Sequence, residues 1–236
     1  MIKNEKIILA LDTDDLNKAI SLIKILDTNI IFKLGMEFFY SFGYEGIKKI
    51  KVVKPKAKIF LDLKLHDIPN TVCKAIIPLV KNIMPYMVTI HSTGGIKMMK
   101  EVVNTIHKFP KKNRPFLLGV TVLTSLDSKS LAELGWMTDV SQNVRNYALL
   151  CKKAGLDGVV CSALEIEIVR EACGDNFTIV TPGIRLDNTS DDDQARVVTP
   201  KVAFSKGSDY IVIGRPIVNS LNPKEELSKI IQSSIL

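Results

Sequence analysis

Short apolar runs recur along this chain, and most are followed by a stretch with apolar positions at helical spacing. Residues 6–12 (KIILALD) form the first run and end in an acid. Over 14–26, Leu16, Ala19, Ile20 and Ile23 share one helical face, with Asp14 or Asp15 as the N-cap. Residues 30–35 (IIFKLG) carry one lysine inside an apolar run, and a helical stretch follows to about residue 54. Residues 59–65 (IFLDLKL) predict a third strand, and 70–81 the helix after it. Strand-like runs then fall at 86–91 (YMVTIH), 116–121 (FLLGVT), 158–162 (GVVCS), 178–181 (TIVT) and 210–214 (YIVIG). A helix is predicted over 95–107, and two more, over 128–134 and 140–154, fill the widest gap.

Strands alternating with helices imply a parallel sheet with crossover helices. Eight such repeats in roughly 250 residues match a TIM barrel. The predicted fold is therefore α/β, a single (β/α)8 TIM barrel domain over residues 1–236. An open doubly wound sheet is the alternative, but no GxGxxG follows the first strand. Polar residues collect late in these runs or just after them: Asp12, Lys33, Asp62, Lys64, His91, Thr121, Ser162, Thr181 and Arg215. In a TIM barrel the carboxyl ends of the strands carry the active site.

The third run is the most informative. Side chains two apart in a strand point to one face, so Asp62 and Lys64 should project together from an otherwise interior segment. Asp67 falls where the strand gives way to a loop, and Pro69 suits the first turn of the next helix. Charges in a buried strand are costly unless they are paired or used. One Asp–Lys pair reads equally well as a structural ion pair. Three charges followed by Ile68-Pro69-Asn70-Thr71 favour a site.

The last two turns read as a phosphate seat. They are Thr181-Pro182-Gly183-Ile184-Arg185 and Ile213-Gly214-Arg215-Pro216-Ile217. Gly214 admits close approach of a ligand to the backbone, and the Gly214 and Arg215 amides with the Arg215 guanidinium suit an anion. Between them, 186–196 (LDNTSDDDQAR) is a long polar segment, read as a lid with Gln194 as its phosphate contact.

Composition narrows the class further. The chain has 236 residues, 46% hydrophobic and 24% charged, with a formal net charge of +7. Its lysines are scattered along helix-like segments. The nearest basic cluster, 108–114 (KFPKKNR), reads as a solvated loop, so no nucleic-acid partner is expected. A mild basic excess suits a small anionic substrate. Cys73, Cys151, Cys161 and Cys173 show no CxxC spacing, which indicates neither a zinc site nor a redox motif. No apolar run has the length of a signal peptide or membrane span, so a cytoplasmic, membrane-free protein is expected.

With these residues in view, the chain resembles the orotidine 5′-phosphate decarboxylase family, bacterial type. The signature Asp-x-Lys-x-x-Asp-Ile-Pro-Asn-Thr stands at 62–71. Further matching blocks are 10–12, 32–37, 120–125, 158–163, 182–185, 193–196 and 213–216. The resemblance implies that Lys33, Asp62, Lys64 and Asp67 form an alternating charge network at the reacting carbon. It implies that Asp12 and Lys33 hold the ribose with Thr71 of the partner, and that Thr124 contacts the pyrimidine. Arg185, Gln194, Gly214 and Arg215 would grip the phosphate. Asp67 and Ile68 would reach into the partner's site, which makes the protein a homodimer with shared active sites. No cofactor and no metal are implied.

Decarboxylation at carbon six of a pyrimidine leaves an electron pair in an in-plane orbital that the ring delocalises poorly. The expectation is that the Lys64 ammonium stabilises this charge and then protonates it. The short DxKxxD core is shared with metal-dependent barrels acting on sugar phosphates. The Ile68 to Thr71 extension and Gln194 weigh against that branch, and an intact charge array weighs against a silent phosphate-binding barrel. His66 and His91 are read as outer-facing or structural, His107 as helix surface, and the cysteines as buried small hydrophobes.

Overall fold

The computed structural model describes residues 4–26, 29–185 and 198–234. The elements run in order as β1 (Ile7–Ala10), α1 (Leu16–Ile25), β2 (Ile31–Gly35), α2 (Met36–Val53), β3 (Lys58–Leu65), α3 (Pro69–Ile83), β4 (Met87–His91), α4 (Gly95–His107) and β5 (Phe116–Val120). Then come α5 (Ser128–Glu133), α6 (Val140–Ala154), β6 (Gly158–Val160), α7 (Ile166–Cys173), β7 (Thr178–Thr181), α8 (Pro200–Ser205), β8 (Tyr210–Ile213), α9 (Arg215–Val218) and α10 (Pro223–Ser233). Among the described residues, eight strands pair in sequence order and β8 closes on β1. Every pairing is parallel. This is the TIM barrel that the strand–helix alternation predicted.

Two apolar layers hold it. Inside the barrel, Ile8, Ala10, Ile31, Phe60, Met87, Leu118, Val180 and Val212 pack together. The opposite faces of the same strands, such as Leu9, Phe32, Leu61 and Val88, pack against the helices. This follows from the two-residue period of a strand: both faces are covered, so the strands read as unbroken apolar runs.

Local signals set the ends of the helices. Asp15 caps α1 by accepting from the Asn17 and Lys18 amides at 2.9 and 3.0 Å. Asp127 and Asp139 do the same for α5 and α6. Pro69 opens α3, where its missing N–H costs nothing. The helical stretch predicted to about residue 54 is present as α2 and is kinked at Gly43, whose φ of 53° is non-helical. The first predicted strand is shorter than expected, although the Leu11 amide still bonds the Lys33 carbonyl at 3.0 Å.

Candidate active site

Three consecutive strands deliver the charges. Lys33 comes from the middle of β2, Asp62 and Lys64 from β3, and Asp12 from just beyond β1. Lys33 Nζ lies 3.0 Å from Asp12 Oδ1 and 3.5 Å from Asp62 Oδ2. Lys64 Nζ lies 2.9 Å from that same Asp62 oxygen. The side chains of Lys33 and Asp62 are only 11% and 12% exposed. Gly35 makes room for the first pair, since a Cβ there would sit 2.9 Å from Asp12 Oδ1.

These four residues line one cleft of about 260 Å³ at the carboxyl end of the barrel, near the lower end of the roughly 300–1,000 Å³ range of small-molecule sites. Phe60, Val160, Val180 and Val212 form its apolar floor. Thr124, Pro182, Gly183, Arg185, Gly214 and Arg215 complete the wall. A Cβ on Gly214 would come within 3.3 Å of the Ala10 side chain, so the last turn packs closely on the first strand. The Arg185 amide bonds the Val198 carbonyl, and the Val198 amide bonds Gly183, so the residues flanking 186–197 are tied together. Gln194 and the segment 186–196 lie outside the described residues.

Electrostatics keep the network charged. Burial works to raise the Asp62 carboxyl, but the Lys33 and Lys64 ammoniums, with hydrogen bonds from Lys64 and Thr89, outweigh it and hold its pKa below the ordinary carboxylate value. Burial works to lower Lys33, but Asp62 and Asp12 outweigh it and raise its pKa. The strand pattern is broken where it matters. Pairing of β3 with β4 runs Phe60 to Met87 and Leu61 to Val88, then slips and resumes as Leu65 to Ile90. In the slip, Lys64 takes a φ of +48°, a left-handed conformation that costs a side-chain-bearing residue about 1–3 kcal/mol.

The other sequence candidates separate clearly. Asp67 is exposed, and its carboxylate accepts from the Ile68 amide at 2.6 Å. Ile68, 66% exposed, and Thr71 lie at the start of α3, outside this chain's own cleft. Thr121, Ser162 and Thr181 are buried and bonded to the Val160 carbonyl, the Leu164 amide and Ser208 respectively, so these strand-end hydroxyls serve the barrel wall. Cys151, Cys161 and Cys173 are buried, whereas Cys73 is only partly so. Thr89 is the residue the sequence did not single out. It is fully buried and bonds both Asp62 and Lys64. The available signal was a lone hydroxyl in an apolar strand beside the charged one. Among the described residues, no group of three or more His, Cys, Asp or Glu could hold a metal ion.

His66 and His91 stack with ring centroids 5.0 Å apart, and Thr93 Oγ1 lies 2.6 Å from His91 Nδ1. Burial, helped by the charges of His66 and Lys64, pushes His91 down to about 4. An unfolded histidine titrates near about 6.5, so on acidification the unfolded chain gains a proton that folded His91 refuses until about pH 4. The His91 contribution to stability is therefore intact above the unfolded value and declines as pH falls across that window. Replacing it, His91→Gln, should flatten the stability–pH curve there in urea denaturation. A slope equal to wild type would mean that His91 is not held neutral.

The model of the orotidine 5′-phosphate decarboxylase / HUMPS family matches residues 5–230. The chain is 48% identical over 228 residues to the orotidine 5′-phosphate decarboxylase of Wolbachia pipientis subsp. Culex pipiens, spanning 96% of this chain and 97% of that one. It is 43% identical to the protein of that name from Legionella pneumophila strain Lens, over 96% and 98% of the two chains. The crystal structure of orotidine 5′-phosphate decarboxylase from Lactobacillus acidophilus superposes with a TM-score of 0.85 at 36% identity, covering 98% of this chain and 99% of that one. By family match, identity and superposition alike, the chain belongs to the orotidine 5′-phosphate decarboxylase / HUMPS family.

Proposed function

We propose that this chain is a carboxy-lyase that converts orotidine 5′-phosphate to UMP and carbon dioxide in pyrimidine biosynthesis, without a metal or cofactor. One observation carries the reading: the largely buried Lys33–Asp62–Lys64 array lines the same cleft as Arg185, Gly214 and Arg215. A reactive charge array and two arginines in one cleft fit a substrate with a scissile carboxylate and a phosphate.

In this reading the phosphate lies against Arg185, Gly214 and Arg215, with Gln194 closing over it. Asp12 and Lys33 hold the ribose, and Thr124 the pyrimidine. The carboxylate at carbon six then points toward Asp62 and Lys64. As the carbon–carbon bond breaks, carbon dioxide leaves and its bonding pair stays on carbon six. The Lys64 ammonium stabilises that pair and transfers a proton to it, giving UMP and a neutral lysine that regains its proton from solvent. Asp62 keeps Lys64 aimed, and Lys33 balances the Asp62 charge. Both oxygens of Asp62 are already taken by Lys33, Lys64 and Thr89, cations and a hydroxyl where a divalent ion would need anions and open positions.

Asp67, Ile68 and Thr71 lie outside the chain's own cleft. We read them as completing the site of a second copy, which makes the protein a homodimer. The exposure of Ile68 supports this reading. The chain acts as one catalytic domain over residues 1–236, with no nucleic-acid partner. Four free thiols favour a reducing cytoplasm, and among the described residues no helix is long and apolar enough to cross a membrane.

The decisive test follows the loss of orotidine 5′-phosphate, with UMP and carbon dioxide measured, in the presence of a strong chelator. Full turnover under chelation is the expected result. Absence of turnover, with magnesium-dependent activity on a sugar phosphate instead, would overturn the reading.

A further inference from the structure

Thr89 sits in the middle of β4 and is fully buried. It alternates with Met87, which packs inside the barrel, so its side chain faces the interior beside β3. Its one hydroxyl serves two partners. It donates to Asp62 Oδ1 at 2.9 Å and accepts from the Lys64 backbone amide at 2.9 Å. The remaining Asp62 oxygen, Oδ2, receives Lys64 Nζ at 2.9 Å and lies 3.5 Å from Lys33 Nζ. Both edges of the carboxylate are thereby fixed, one by a neutral donor and the other by two cations.

The second bond bears on the backbone. Between Leu61 and Leu65, β3 carries more residues than β4 does between Val88 and Ile90, and the ladder is interrupted. Within the interruption the Lys64 amide turns to the Thr89 side chain. That is also where Lys64 has its left-handed φ of +48°. A residue in that region persists only where its surroundings over-determine it. Thr89 supplies such a constraint, and it anchors the conformation to the same carboxylate that Lys64 Nζ contacts.

We propose that Thr89 is a positioning residue for the decarboxylation, its hydroxyl clamping the Asp62 carboxylate and the Lys64 backbone so that both side chains meet the reacting carbon in one fixed arrangement. It does not line the cleft, so it acts through Asp62 and Lys64 and not on substrate. The inference rests on the decarboxylase reading and adds to it a residue outside the charged array. Removing the hydroxyl leaves a buried amide and a carboxylate oxygen each short of a partner. Asp62 and Lys64, still paired with each other, are then free to shift together, and a displacement of about 1 Å at a reacting group costs on the order of a hundred-fold in rate.

The test compares Thr89→Val, which keeps the shape and loses the hydroxyl, with Thr89→Ser, which keeps the hydroxyl and loses a methyl. Turnover of orotidine 5′-phosphate, affinity for UMP and the thermal midpoint are measured for both and for wild type. The expected result for Thr89→Val is a fall in kcat of about a hundred-fold with UMP affinity unchanged. Thr89→Ser should restore most of the loss, which a merely space-filling role would not do. Should Thr89→Val fail to fold, Thr89→Ala takes its place against the same serine variant. Near-normal kcat without the hydroxyl, or a serine variant as slow as the valine one, would overturn the inference while leaving the decarboxylase reading intact. A wild-type protein with no decarboxylase activity would overturn both.

Discussion

Lys64→Ala is expected to abolish decarboxylation, lowering kcat by about 10⁴-fold or more, while UMP still binds. The size of the effect follows from the two tasks proposed for the ammonium. Protonation by a positioned acid contributes roughly 10²–10⁴-fold. Stabilising an in-plane electron pair is a further electrostatic term, and one preorganised donor in such a role is worth about 10²–10³-fold. Alanine removes both. Binding should survive because the phosphate and ribose contacts assigned to Arg185, Arg215, Asp12 and Lys33 remain. The local structure also tolerates the change: Lys64 bonds Thr89 through its backbone, and alanine keeps that amide. The measurement is single-turnover conversion of orotidine 5′-phosphate beside a UMP titration of the same protein. Near-normal turnover would remove Lys64 as the proton donor. Loss of UMP binding together with turnover would show that the side chain holds the ground state as well.

How far this site could be read in advance depended on the kind of signal each residue left. Lys33 and Asp62 were legible because a charge inside an apolar run has few inexpensive explanations. The barrel was legible because strand and helix periods alternate through nearly the whole chain. Asp62 and Lys64 do share a face, but not by simple strand alternation. The β3–β4 slip and the left-handed Lys64 backbone bring them together, and a two-residue period contains neither. Thr89 left only a weak mark, a lone hydroxyl in an apolar strand, since threonine is an ordinary strand residue and its importance lies in which neighbour its hydroxyl meets. Thr121, Ser162 and Thr181 share the strand-end position of the site residues without being part of the cleft lining. Their hydroxyls bond the barrel's own backbone and side chains. Asp67, Ile68 and Thr71 are contiguous with Asp62 and Lys64 in sequence, yet the chain turns into α3 at Pro69 and carries them off the cleft. Contiguity in a motif says nothing about which copy of the chain a residue serves.

Asp62→Ala should be the most destabilising change in the charged array, costing about 3–5 kcal/mol of folding stability, and turnover should be lost with it. Asp62 is the only carboxylate that touches both the buried Lys33 and the half-buried Lys64 among the ion pairs of the described residues. Without it, Lys33 keeps only Asp12, whose side chain is 53% exposed, and Lys64 keeps no carboxylate among those pairs. Two ammoniums that shared one anion are then left facing each other in the cleft. The penalty is that of uncompensated buried charge and not of lost packing, and this makes a sharper prediction about sign. Adding Lys33→Met to Asp62→Ala should recover part of the stability, because it removes one of the stranded cations. A second truncation in an ordinary core would instead add to the loss. Acid offers an independent check. Asp62 has a folded pKa below its unfolded one, so its contribution is present above the unfolded value and is lost as pH falls through the lower folded value. Wild type and Asp62→Ala should therefore converge in stability on acidification and diverge again toward neutral pH. Urea denaturation of the two single variants and the double variant across that range decides the matter. A double variant less stable than Asp62→Ala alone would mean that the lysines are solvated well enough not to need their shared carboxylate.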